Sequence, residues 1–389
     1  MSLKQRRRVM LLIETSNAYA RGLLDGIAAW ETEHQQWSIY LPEQERGSPP
    51  PDWLNRWDGD GIIARIETAD IAKAIEQKGI PTVDVSAARH LPNLPWVETN
   101  DAMIAELALN HLTDRGFENI AFCGERSFKW SKMREAHFLS RAEALGFECH
   151  VLNSKSHWES DYSWNHERRR LLDWLTQLPI PVGIMASYDI KGQQVLDACR
   201  ELGLSVPEQV AVIGVDNDPH ICNLCSPRLT SIQPDTKKTG YEAANILHQM
   251  MSGDDVSAEP HLIAPIGIEE RMSTEIVAVD DAEVSLALRF IRQHAFDGIG
   301  VSDVVRNSSL SRRSLESRFL RFIGRTPHQE IERLRMERVK NLLRESDLRL
   351  QVIAERTGFR SADYLTVAFK RYFGQTPGAF RSYYESDTT

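Results

Sequence analysis

Residues 311–327 and 361–377 carry one pattern twice, fifty positions apart. Ser311 pairs with Ser361, Leu315 with Leu365, Phe319 with Phe369, Arg321 with Arg371, Gly324 with Gly374, Thr326 with Thr376 and Pro327 with Pro377. So many matches in one register are not a product of chance, and they predict two copies of one short helical unit. Ser311 and Ser361 stand where a helix N-cap belongs, and apolar residues follow each at spacings of four. From 283 onward no strand-like run remains. Helical stretches at 283–295, 301–307, 311–323, 328–344, 350–356 and 361–373 follow one another with short breaks, so this end of the chain is expected to be all-α.

Each copy reads as a helix-turn-helix. In the second, VIAERTGF (352–359) gives a short helix and a turn at Gly358, and a second helix opens at Ser361. Ile353, Ala354, Phe359, Leu365 and Phe369 are its expected core, with the small Ala354 allowing close approach. Ala362, Asp363, Thr366 and Val367 then fall on the exposed face, with Lys370 and Arg371 near the end to hold phosphates. In the first copy Arg312, Arg313, Glu316 and Ser317 are exposed, with Leu315 and Phe319 inward. Arginine reads guanine and glutamate accepts from cytosine, so these are candidate base contacts. The segment HQEIERLRMERVKNLL joins the copies; as a helix it spans about 24 Å. That length suits two recognition helices roughly one duplex turn, about 34 Å, apart.

Charge agrees. The chain carries −9 overall, but residues 281–389 hold 19 Lys and Arg against 14 Asp and Glu, a net of +5, which leaves −14 for the rest. An acidic body with an arginine-rich basic tail is the pattern of a DNA-binding tail. The five cysteines are scattered and odd in number, which fits reduced thiols in a cytoplasm. Cys222 and Cys225 form a lone C-x-x-C without a second pair, so no metal site is expected. The start, KQRRRVMLLIE, has too short an apolar run for a signal peptide, and no window approaches the roughly 20 apolar residues of a membrane span. Phosphate-loop, G-x-S-x-G and H-E-x-x-H motifs are absent. The expectation is a soluble cytoplasmic protein with no membrane partner, no cofactor and no catalytic residue. The rival reading is an α/β enzyme with the tail as its regulator, for which only scattered carboxylates speak.

Residues 7–270 alternate between strand and helix signals. The runs RVMLLI (8–13), GIIARI (61–66), PTVDVS (81–86), NIAFCG (119–124), VGIMAS (182–187) and VAVIGVD (210–216) have strand length. Helical spacing appears at 18–31, 101–116, 192–203 and 239–253. Short apolar strands alternating with helices predict an α/β body with parallel sheets, whose ligands sit at the carboxyl ends of strands. Asp216 and Asp189 follow two such ends. Residues 272–282 break the rhythm and are expected to link the domains; PEQERGSPPPD (42–52) reads as a surface loop.

The stretches IAERTGF, YLTVAFKRYFGQTPGAFR and SLESRFLRFIGRTPHQEI resemble the AraC/XylS family of transcription regulators, over roughly 283–385. That resemblance implies a double reader of adjacent major grooves. In the first unit Val305 stands where the family has a small alanine and Ser309 where it has the turn glycine, which predicts positive φ at Ser309 and a less rigid unit. Residues 97–124, 205–218 and 226–235 resemble the sensor domain of LacI/GalR regulators. The joint resemblance implies a two-lobed α/β sensor domain of periplasmic-binding-protein-like fold over 1–271, a linker over 272–282 and an all-α double helix-turn-helix domain over 283–389. Crossovers between the lobes are expected near 122–125, 225–234 and 254–262. Arg134 matches the family's ligand-gripping arginine, with an interlobe ion pair as the alternative. With Asp189 and Asp216 as hydrogen-bonding carboxylates and Tyr19 and Trp130 as aromatic walls, the cleft would take a neutral sugar. The resemblance further implies operator DNA, RNA polymerase and a second copy of the chain as partners, and activation of a pentose (xylose-like) catabolic operon. The alternative is a body that only dimerises or senses another ligand.

Overall fold

The runs RVMLLI, GIIARI and PTVDVS lie in the interior of one parallel sheet, and NIAFCG, VGIMAS and VAVIGVD in the interior of another. The computed structural model describes residues 6–45, 49–157, 159–275 and 281–386, and the chain divides into compact units at 1–275 and 276–389. In the first unit the elements are β1 (Arg7–Leu12), α1 (Ala18–His34), β2 (Trp37–Tyr40), β3 (Gly61–Ala64), α2 (Ala69–Glu76), β4 (Thr82–Asp84), β5 (Trp96–Thr99) and α3 (Asp101–Thr113). They continue as β6 (Asn119–Glu125), α4 (Lys129–Ala144), β7 (Cys149–Ser154), α5 (Trp164–Gln177), β8 (Val182–Ala186) and α6 (Asp189–Leu202). The unit ends with β9 (Val210–Val215), α7 (Pro219–Leu224), β10 (Thr230–Gln233), α8 (Thr236–Ser252), β11 (Pro260–Ile263) and β12 (Gly267–Glu269).

The first sheet runs β11-β5-β4-β3-β1-β2 and the second β12-β10-β9-β8-β6-β7. All pairings are parallel except β12 with β10. Strands β3, β8 and β9 are buried along their whole length, as expected for sheets covered on both faces. Helices α1 and α8 pack on the first sheet with their backbones almost touching. A Cβ on Gly26 would stand 2.0 Å from the Lys237 carbonyl oxygen, and one on Gly240 would stand 2.0 Å from that of Leu23. Only glycine permits that approach.

Three crossovers join the lobes, between β5 and α3, between β10 and α8, and between β11 and β12. The expected crossovers at 122–125 and 254–262 are corrected: the first belongs to β6, inside the second sheet, and the second precedes and overlaps β11 of the first sheet, whereas the one expected near 225–234 runs up to the crossing observed after Gln233. Helix α3 already packs on β8, β9 and β10 of the second sheet, with Leu112 against Gly183, so the chain changes lobe at Asn100. Asn100 caps α3 with its side chain and donates its N–H to Ile263 O at 2.8 Å; Ile266 N–H donates to Gln233 O at 2.9 Å. Backbone hydrogen bonds thus stitch the crossovers to one another. Met272–Thr274, placed in the linker by sequence, form a 3-10 turn with Ser273 and Thr274 fully buried. Ser273 Oγ donates to Val212 O at 2.6 Å. The linker residues 276–280 lie outside the described residues.

The second unit is helical: α9 (Ala282–His294), α10 (Val301–Arg306), α11 (Arg312–Ile323), α12 (Pro327–Glu345), α13 (Leu350–Arg356), α14 (Ala362–Phe373) and α15 (Pro377–Ser386). Sequence spacing did not signal α15. It starts as α12 does, with a Thr-Pro pair: Thr376 Oγ1 accepts from Ala379 N at 3.3 Å, as Thr326 Oγ1 accepts from Gln329 N at 3.3 Å. The expected positive φ at Ser309 is also corrected. Among the described residues only Gln35, Arg89, Asp216 and Asn217 combine a side chain with positive φ. The Glu283 carboxylate accepts from both Ser308 Oγ and Ser309 N at 3.1 Å, so a side chain closes this turn without left-handed backbone.

Candidate ligand cleft and nucleic-acid interface

Strand ends from both lobes supply the cleft. Tyr19, Arg65 and Glu98 of the first lobe and Trp130, Arg134 and Asp216 of the second line a narrow space of about 20 Å³. That is room for about one water molecule, far below the about 300–1,000 Å³ of small-molecule sites, so a sugar would need the lobes further apart. Sequence reasoning named four of the six; Arg65 and Glu98 were missed. Both are charged residues within buried strand-length runs, GIIARI and WVET, and are 6% and 5% exposed. An ionisable residue at such a position is rare enough to have been the signal.

The first-lobe wall is a hydrogen-bonded chain. Tyr19 OH donates to Glu98 Oε1 and lies 2.8 Å from Thr99 Oγ1. Burial, then the neighbouring Glu98 charge, keeps the phenol protonated by raising its pKa. Burial, then the Asp101 charge, raises Glu98 to about 7. Arg65 pairs with Glu14 and, at 2.6 Å, with Glu67, and its guanidinium lies 5.2 Å from the centre of the Tyr19 ring. Burial alone would lower the Arg65 pKa; Glu14, Glu67 and Glu98 outweigh it and hold the charge.

In the second lobe Arg134 donates through Nε to Asp101 at 2.8 Å and through Nη1 to Ser187 O at 2.6 Å, and its guanidinium lies 5.2 Å from the Trp130 ring. Asp101 opens α3, which packs with α4, so this ion pair lies within one lobe while Arg134 still faces the cleft. Trp130 stacks on Phe128 at 5.1 Å and meets Tyr188 edge-on at 5.3 Å. Asp216 follows β9 at φ +106° and Asn217 comes next at +48°, a strained pair costing roughly 1–3 kcal/mol each. Asp216 N–H to Ile232 O at 3.0 Å and Arg271 to Asn217 Oδ1 at 2.7 Å hold them there. Asp189 does not line the cleft. It sits one layer behind, accepting from Ser231 Oγ at 2.6 Å and Asp218 N at 2.7 Å. Burial, then the Asp216 charge, raises its pKa.

In the helical unit Ser311 Oγ caps α11 and Ser361 Oγ caps α14, accepting from Ser314 N at 3.3 Å and Tyr364 N at 3.2 Å. Arg312, Arg313 and Ser317 are exposed on α11 and Glu316 half-buried, with Arg312 Nε 2.9 Å from Glu316 Oε1. On α14 Asp363, Val367, Lys370 and Arg371 are exposed and Ala362 and Thr366 half-buried. Thr366 Oγ1 donates back to Ala362 O at 2.8 Å, so its hydroxyl hydrogen is engaged within the helix. Arg371 pairs with Glu332 of α12. Tyr364 is 60% exposed at the start of α14, and sequence reasoning missed it. No helix among the described residues is long and apolar enough to cross a membrane, and no cluster of His, Cys, Asp and Glu among them could hold a metal.

A two-lobed α/β body with a polar cleft, joined to a double helix-turn-helix unit, defines a DNA-binding transcription regulator whose body is built like a small-molecule sensor. The family model described as XylR N-terminal domain matches residues 8–102, a periplasmic binding protein-like domain 109–274 and a helix-turn-helix domain 304–383. The xylose operon regulatory protein of Escherichia coli K12 is 30% identical over 385 residues, covering 97% of each chain. That of Haemophilus influenzae is 31% identical over 386 residues, covering 97% of this chain and 99% of its own. The solved structure of a xylose-binding transcription activator, XylR, superposes with a TM-score of 0.84 at 29% identity, covering 97% of this chain and 98% of that one. The chain belongs to the family of xylose operon regulatory proteins, which joins a LacI/GalR-like sensor to an AraC-type reader.

Proposed function

We propose that this protein is a cytoplasmic, D-xylose-responsive activator of a pentose catabolic operon. The cleft carries the reading: a small space walled by Tyr19 and Trp130 and ringed by Arg65, Glu98, Arg134 and Asp216. Charged groups of both signs make strong hydrogen bonds to adjacent sugar hydroxyls, and an aromatic face meets the ring's C–H side. Opposed cations and carboxylates disfavour a phosphorylated sugar, which Glu98 and Asp216 would repel. Asp189 acts from behind, holding the turn that aims Asp216. Arg312, Arg313, Glu316 and Ser317 of α11 and Ala362, Asp363, Thr366, Val367, Lys370 and Arg371 of α14 are the proposed DNA-facing residues, with Lys370 and Arg371 toward phosphates. A homodimer would present two such readers to paired half-sites, and contact with RNA polymerase would give activation; both rest on the family likeness. The test is calorimetric titration with D-xylose, L-arabinose, D-ribose, D-glucose and D-xylose 5-phosphate. Saturable 1:1 binding of xylose with clear preference over the phosphate supports the reading. No binding of any neutral pentose overturns it.

A further inference from the structure

The second lobe holds another, larger cavity. It lies between α5 and α6, over the ends of β6 and β7, and holds about 390 Å³. In the second sheet β6 has β7 on one side and β8 on the other, so the cavity opens where the strand order reverses. Such switch points are where open α/β sheets take ligands. Its floor is polar and built: Lys191, 3% exposed, donates to Ser154 Oγ at 2.7 Å and Gln194 Oε1 at 2.8 Å, with Glu125 at 3.4 Å. Tyr188 OH donates to the same Glu125 at 3.2 Å. At the mouth Trp164 opens α5 with its side chain largely in solvent, 63% exposed.

Charge and shape select the ligand. Every lysine and arginine lining the cavity already has a carboxylate: Lys191 has Glu125, Arg168 has Glu201 at 2.7 Å, Lys155 has Asp161 and Arg200 has Asp197. An anion would have to displace one of these partners. An apolar ligand would strip water from these paired ions and hydroxyls and return no hydrogen bond, which costs free energy even where each ion keeps its partner. A neutral polyol meets both conditions, and an exposed indole offers the flat apolar face that stacks on a sugar ring. At about 390 Å³ the cavity has room for more than one ring. We propose that this cavity is a second carbohydrate site, taking a neutral di- or short oligosaccharide stacked on Trp164, separate from the interlobe cleft.

The test uses the full-length protein saturated with D-xylose, titrated with xylobiose, cellobiose and maltose by calorimetry. The proposal expects saturable 1:1 binding of at least one disaccharide, not competed by added xylose. It expects that binding to weaken at least about tenfold in Trp164→Ala, about 1.4 kcal/mol. Trp164→Ala removes an exposed side chain, so its melting temperature and its xylose affinity should match wild type. Absence of binding for all three disaccharides, or binding that is competed by xylose or unchanged in Trp164→Ala, overturns the proposal. Failure of xylose itself to bind counts against the cleft reading only, because the disaccharide titration is read at a different cavity.

Discussion

Glu98 places in the cleft wall a carboxyl that burial pushes up to about 7. Its folded pKa, about 7, lies above the roughly 4.3 of a free glutamate. The folded state therefore binds this proton more tightly. Its stabilising share is complete below about pH 4.3 and is lost as pH rises through about 7. A sugar whose hydroxyls donate to the ionised carboxylate reverses that trend. The rise in melting temperature caused by D-xylose is expected to shrink between about pH 8 and about pH 6, and Glu98→Gln should flatten the pH dependence while weakening xylose by at least about tenfold. A pH-independent shift in wild type would remove Glu98 from the contact set. On α11, Arg313→Ala should relax specificity at one base pair by about 1–3 kcal/mol; equal loss across all operator variants would make Arg313 a phosphate contact instead. Asp216 was legible from its strand end, Arg134 from a family position, and Tyr19 and Trp130 as the aromatic walls a sugar cleft needs. Arg65 and Glu98 were not, because the apolar pattern around them reads as plain strand, and only the fold shows that both ends point into one space.

Single residues also fix the helical elements. Gly358 sits at φ +74°, and a Cβ there would lie 3.0 Å from the carbonyl oxygens of Ala295 and Phe296 and from Gly298 N. Gly358→Ala should destabilise the helical unit by roughly 1–3 kcal/mol and lower DNA affinity, whereas Ser309→Gly in the first unit should change stability little, since that turn has no left-handed residue. A thermal melt of both variants checks the contrast. Glu330 is fully buried at the start of α12, paired with Arg325 and with Arg333 at 2.8 Å. Burial pushes it up, but the Arg333 hydrogen bond and the charges of Arg333, Arg325 and Arg292 bring it down to about 2. Its share of stability is therefore present above the unfolded value of about 4.3 and lost as pH falls through about 2. Glu330→Gln should lower stability by about 3 kcal/mol at neutral pH and by much less near pH 2; an equal loss at both would exclude the ion pairs as the cause. Helices with strong periodicity were readable to within a few residues, as with 101–116 against α3 and 311–323 against α11. Strands β2, β5, β7, β10, β11 and β12 and the capped helix α15 were not, because short runs such as WSIY and PHLI at a sheet edge, or WVET inside one, are too brief to carry an apolar signature.

For the whole molecule, the repeat at 311–327 and 361–377 and the strand-helix alternation before it were enough to separate an α/β body from a helical tail. Of the positions where the chain changes lobe, the one after Gln233 was read to within a few residues, but those at Asn100 and after Ile263 were not, since they lie at ordinary-looking strand ends and are tied by a hydrogen bond between distant residues. A ligand shifts the equilibrium between two arrangements only by binding them with different affinity, so the central claim is that occupancy of the cleft alters DNA binding by the helical unit. The most direct measurement is the affinity of the full-length protein for its operator with and without saturating D-xylose, in wild type and in Asp216→Ala. The account predicts at least about fivefold tighter binding with xylose in wild type, and the unliganded affinity with no xylose response in Asp216→Ala. Identical wild-type affinities with and without xylose, or equal loss of basal and induced binding in Asp216→Ala, would contradict it.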